Sequence, residues 1–115
     1  MPDLEKEFVQ AVLARSKYLR QGDSTKAGRE YQKLRGIAVN LRALADRGEA
    51  ILKRIAGSQD PELAIMAAVG LLELDEVFAT KVLQKQANGR DTAKAFDAEM
   101  ALKEWQNGIK EELWA

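Results

Sequence analysis

The 115-residue chain contains neither histidine nor cysteine, and this narrows its chemistry more than any motif it carries. Without histidine it lacks the usual general base near neutral pH and the commonest metal ligand. Without cysteine it lacks thiolate nucleophiles, disulfides and sulfur-ligated metal sites. Acid–base work would fall to carboxylates, lysines and tyrosines. The carboxylates gather in the C-terminal half as Glu73 with Asp75 and Glu76, Asp97 with Glu104, and Glu111 with Glu112. Two carboxylates across a cleft are the machinery of glycoside hydrolysis. On water-facing helices the same spacings form solvated acidic rows, and no feature of the sequence supplies a cleft. Asp23-x-Thr25-x-Ala27-Gly28 opens like a calcium loop, but Ala27 and Leu34 stand where an oxygen ligand and a bidentate glutamate are required. A capped turn is the better reading. No strand is expected, so no glycine-rich phosphate cradle follows one. The expectation is a protein that is not an enzyme, with no metal and no cofactor, because carboxylates alone with no suitable spacing do not make a transition-metal site.

The remaining charged and aromatic residues point to binding. Lys26, Arg29 and Lys33 share a helix face, Arg35 and Arg42 form a second row, and Arg15, Lys17, Tyr18 and Arg20 precede them. Together they form a possible phosphate-facing surface. Asp3, Glu30 and Asp46 interrupt it, and the overall net charge is zero, which favours an ordinary solvated face. Residues 1–57 carry 12 Lys/Arg against 7 Asp/Glu, a surplus of five, and residues 58–115 carry 6 against 11, a deficit of five. This split either steers oppositely charged partners or lets the halves complement one another internally. Trp105 fits the inner stripe of its helix. Trp114 either caps the core or projects as an interface anchor.

These residues are positioned by helices. Prolines number two, and apolar positions recur at intervals of three and four. A first helix is expected from Asp3, with Leu4, Phe8, Ala11, Val12, Arg15 and Leu19 on one face and Gly22 as its stop. A second, capped at Asp23, Ser24 or Thr25, carries Ala27, Tyr31, Leu34, Ala38, Leu41 and Ala45 to about Arg47, making an antiparallel hairpin with the first. Gly48 should open a third helix bearing Ile51, Leu52 and Ile55, closed by Gly57. Asp60-Pro61 is the sharpest helix start in the chain, since proline at the first helical position gives up no intrahelical bond. The segment to Leu72 is apolar nearly all round and must be central. A fifth helix spans Asp75 to Ala87 with Val77, Phe78, Val82 and Leu83, and Asp91 caps a sixth with Phe96, Met100, Ala101 and Trp105. The start, Met1-Pro2-Asp3-Leu4-Glu5-Lys6-Glu7, lacks the apolar run of a secretion signal. The longest uncharged apolar run, Leu63 to Leu72, is far short of the roughly 20 residues of a membrane span. A cytoplasmic protein is expected, with no membrane partner.

The pair of helices from Ala50 to Ala87 resembles a HEAT or armadillo-type repeat in Asp60-Pro61-Glu62-Leu63, then Ala67-Ala68, then Leu71 and Leu74. With the hairpin before it and Trp105-Gln106-Asn107-Gly108 after it, the chain is similar to a family of small prokaryotic HEAT-like domains. Some proteins of this shape are immunity proteins encoded beside bacterial toxins. The arginine usual after the turn is replaced by Ala64, and Ile65 and Val69 are apolar where such repeats are polar, so this repeat should lie buried in a globule. The resemblance implies one all-α domain of about six helices: a hairpin over 1–47, a repeat over 48–87, and a closing helix and tail over 88–115. It implies a protein-binding antitoxin; the acidic C-terminal half then supplies the expected contact residues, Glu73, Asp75, Glu76, Asp97, Glu104, Glu111 and Glu112 with Trp114, for a basic toxin such as a nuclease. The alternatives are a nucleic-acid-binding module using the basic hairpin, and a self-associating scaffold.

Overall fold

The computed structural model describes residues 3–90 and 92–108, with only the helical backbone of Thr92. Six helices make up these residues: α1 (Leu4–Arg20), α2 (Ser24–Ala43), α3 (Asp46–Ala56), α4 (Pro61–Leu71), α5 (Glu76–Ala87) and α6 (Thr92–Gln106). Four of them begin on the same device. Asp3, Asp23, Asp60 and Asp75 each sit at the N-cap, and their carboxylates accept from the backbone N–H of Lys6, Lys26, Glu62 and Phe78 at 2.9–3.1 Å. Each satisfies one of the four donors that a helix start leaves without a partner. Asp23 is therefore the cap of α2, ahead of Ser24 and Thr25. The expected cap of α6, Asp91, lies outside the described residues.

Helix α4 occupies the centre. It packs against α1, α3, α5 and α6, and Ala64, Ile65, Ala67, Ala68, Val69, Gly70 and Leu71 are all buried. Small side chains at four of those positions let neighbours approach from several sides. Around this axis α1 pairs with α2, α3 with α4, and α5 with α6, enclosing Phe8, Val12, Leu34, Leu41, Leu52, Leu71 and Leu83 almost completely. The radius of gyration, 13.2 Å, is that of a closed globule of this length, about 13 Å.

The corner between α2 and α3 departs from the sequence reading. Helix α2 stops at Ala43, not near Arg47, and α3 begins at Asp46, before Gly48. The chain turns at Ala45, which takes φ 51° and ψ −119° with no side-chain cap. Gly48 is not a helix opener but a contact. A Cβ built there would lie 1.7 Å from the Leu41 carbonyl oxygen, so α3 crosses α2 with backbone against backbone. Some expected core positions also face outward: Leu19, Val77, Phe96 and Met100 are exposed, and so is Ala45. In α6 the inner row is Ala98 and Ala101, with Leu102 and Trp105 packed beside them. Two alanines there allow α6 close to its neighbours and rotate Phe96 and Met100 away.

Candidate functional site

The acidic residues divide into two groups. Glu73, Asp75 and Glu76 cluster where α4 leads into α5, and each is engaged within the chain. Glu73 pairs with Arg42 of α2 at 3.2 Å. Asp75 caps α5 and also meets Lys53 of α3 at 2.9 Å. Glu76 accepts from the Trp105 indole N–H at 2.8 Å, tying the start of α5 to the end of α6. The hydrogen bond from Lys53, with help from the Phe78 backbone N–H, holds the Asp75 carboxyl below its usual range. The same bond raises Lys53, whose ammonium also lies 5.1 Å from the Phe78 ring centre. These three acids thus join α2 to the α4–α5 corner, α3 to α5, and α5 to α6.

Part of the basic hairpin is similarly occupied. Lys33 pairs with Glu30 at 3.2 Å, and Lys26 approaches Asp23 at 3.9 Å and the Tyr18 ring at 5.6 Å. Arg42 is held by Glu73. Arg54 of α3 is bridged to Glu5 of α1, and its proton is held more tightly by that bond. The opposite signs of the two chain halves are in part spent on each other through Arg42–Glu73 and Lys53–Asp75.

Asp97 and Glu104 stand apart from this pattern. Among the described residues neither has a hydrogen-bond or ion-pair partner, and both line a groove of about 360 Å³. Its floor is Ile65, Met66 and Val69 of α4, one wall is Arg15 and Leu19 of α1, and the other is α6. The volume lies within the roughly 300–1,000 Å³ typical of binding clefts. On the α6 wall, Lys94, Asp97, Ala101 and Glu104 recur at intervals of three and four, and Met100 lies beside them. Leu19 is 48% exposed and Met100 37%, and Phe96, one turn before Met100, is 61% exposed. One end holds the Lys94–Glu62 pair, while Arg15 lies 5.5 Å from the centre of the Tyr31 ring. The result is an apolar trough with an acidic α6 edge and a cation on the α1 edge.

A second groove, of about 580 Å³, separates parts of α1 and α2, lined by Leu4, Glu7, Ala11, Glu30, Lys33 and Ile37 among others. It presents none of the exposed large apolar side chains of the first. No group of three or more acidic residues able to hold a metal ion occurs among the described residues, and no helix there is long and apolar enough to cross a membrane.

Of the eight residues that the sequence nominated, the groove gathers Asp97 and Glu104, and the corner of α5 gathers Glu73, Asp75 and Glu76. Glu111, Glu112 and Trp114 lie outside the described residues. The groove also uses Leu19 and Met100, assigned from periodicity to the core, and Arg15, Glu62 and Lys94. A signal for α6 was present in Ala98, which with the expected Ala101 and Trp105 makes the inner row in place of Phe96 and Met100. Comparison with known proteins finds no matching family model, no matching curated protein and no matching solved structure.

Proposed function

We propose that this protein is a non-enzymatic protein-binding module and that the groove between α1, α4 and α6 is its contact surface. The observation that carries this reading is the coincidence in one groove of exposed Leu19 and Met100, with Phe96 exposed one turn before Met100, and two carboxylates that lack partners among the described residues. Large apolar side chains at a groove with a charged rim are the composition of an interface centre and its edge. The narrower form of the proposal is a toxin-neutralising immunity protein acting in the cytoplasm. Its support is the likeness of the central helices to HEAT-type repeats and the surplus of acid in the C-terminal half. Neutralisation would proceed by occlusion, with the helical face covering a basic substrate channel. Charge complementarity would speed encounter, and the apolar centre would slow release.

A photoreactive residue in place of Phe96 should cross-link a protein partner in cells, whereas one in place of Arg29 should not. Leu19→Asp with Met100→Asp should abolish capture of that partner and keep the helical circular dichroism unchanged. Undiminished capture by the double variant refutes the reading. So does tight binding of RNA or DNA in physiological salt that is lost on replacing Arg29 and Lys33 alone.

A further inference from the structure

Resting on the protein-binding reading above, we infer that the groove receives an amphipathic α-helix from its partner, oriented by opposite charges on the two groove walls. Helices α1 and α6 both pack on α4, and the trough between them has α4 as its floor. Asp97 and Glu104 are seven residues apart on α6, about 10.5 Å along its axis at 1.5 Å per residue. That separation matches two basic residues at positions i and i+7 of a helix lying alongside α6, because both helices repeat nearly every two turns. The opposite wall presents Arg15, held beside Tyr31, so the occupant's other edge should carry an acidic residue. Between those edges an apolar strip would meet Leu19, Met66, Val69 and Met100, the arrangement of a helix laid in a groove. The chain's own residues 109–115, with Glu111 and Glu112 against a single Lys110, carry the wrong sign for the α6 wall. A basic edge supplied by another protein fits it.

The test uses a synthetic helix and a charge swap. The probe is a fluorescently labelled leucine–alanine peptide of about 18 residues, long enough to sustain a helix. It carries two lysines seven apart on one edge of the leucine strip and a glutamate on the other. Titrated against the full chain at about 0.05 M salt, where the screening length exceeds 10 Å, it should bind and shift amide resonances of Leu19, Val69 and Met100. Asp97→Lys with Glu104→Lys should weaken it about five- to tenfold, as expected for two rim pairs. A second peptide with glutamates at the two lysine positions should show the reverse preference. Circular dichroism checks that the two replacements leave the fold intact. If both peptides perturb the groove but neither distinguishes the two proteins, the charged-helix inference is overturned while the protein-binding reading stands. If neither peptide binds, or binding perturbs only other surfaces, the inference falls as well. In that case the photo-cross-link at Phe96 decides separately whether the groove is a protein contact.

Discussion

Glycine-to-alanine replacements at two positions of this fold should act in opposite directions, and the structure sets both magnitudes. At Gly48 the new Cβ would sit 1.7 Å from the Leu41 carbonyl oxygen and 2.6 Å from its carbon, where ordinary contact begins at 3.4 Å. Both sides of the clash are backbone, so no rotamer change relieves it, and α3 must retreat from α2 by well over an ångström. Leu41 and Leu52, fully buried in these two helices, would then lose packing. A gap of 0.5–1 Å already forfeits about a quarter to a half of a van der Waals contact. Overpacking a core commonly costs about 1–3 kcal/mol, and a backbone-to-backbone clash belongs at or beyond the upper end. At Gly36, inside α2, nothing lies within 4 Å of the added Cβ, and the gain in helix propensity is about 0.5–1 kcal/mol. With an m-value of about 1.5 kcal/mol/M, Gly48→Ala should lower the urea midpoint by about 2 M and Gly36→Ala should raise it by about 0.5 M. Circular dichroism at 222 nm, roughly the standard helical band, reads both. A Gly48→Ala midpoint within about 0.5 M of the unchanged protein would refute the close crossing of α2 and α3.

Four further outcomes follow from the same contacts. Ser16 is 7% exposed and its hydroxyl has no hydrogen-bond partner among the described residues, so Ser16→Ala should be neutral or stabilising by up to about 1 kcal/mol; a loss of more than about 1 kcal/mol in the same denaturation assay would show a hidden partner. Because the Asp75 carboxyl is held low in the folded state, its contribution is present above the unfolded carboxylate range and lost as pH falls through the folded value. Asp75→Asn, which keeps a capping side chain, should therefore flatten the acid limb of a stability–pH curve, and an unchanged limb would count against the Lys53 pair. Reversing Glu73, Asp75 and Glu76 together to lysine should destabilise the fold, since it places cations against Arg42 and Lys53 and removes the Trp105 acceptor. Reversing Asp97 and Glu104 should leave the denaturation midpoint nearly unchanged, which makes that pair the cleaner probe of partner binding.

Much of this protein was legible before any coordinate. The helices, the aspartate caps at 3 and 60, and the central place of the segment after Pro61 follow from local signals, whereas Asp23 is one of three candidate caps in the sequence and Asp75, expected within the fifth helix, proves to be its cap. A capping carboxylate acts within three residues, and an all-round apolar helix has no stable place except the middle. The absence of histidine and cysteine bounded the chemistry with equal certainty, since no fold supplies a side chain the chain lacks. Tertiary structure decided what periodicity left degenerate. On α6 the expected row of Phe96, Met100, Ala101 and Trp105 shares Ala101 and Trp105 with the observed one, and only packing against its neighbours brings Ala98 in and turns Phe96 and Met100 out, since alanine permits the closer approach. Gly48 reads as a breaker in sequence because a glycine's local freedom is visible there, while the Leu41 carbonyl it faces lies across another helix. The acidic residues show the same limit most clearly. Glu73, Asp75, Glu76, Asp97 and Glu104 look alike as types and spacings, yet Arg42, Lys53 and Trp105, each 22 or more positions away along the chain, engage the first three. Ion pairing depends on distance in space, so which carboxylates are left to face a groove is settled only when the helices meet.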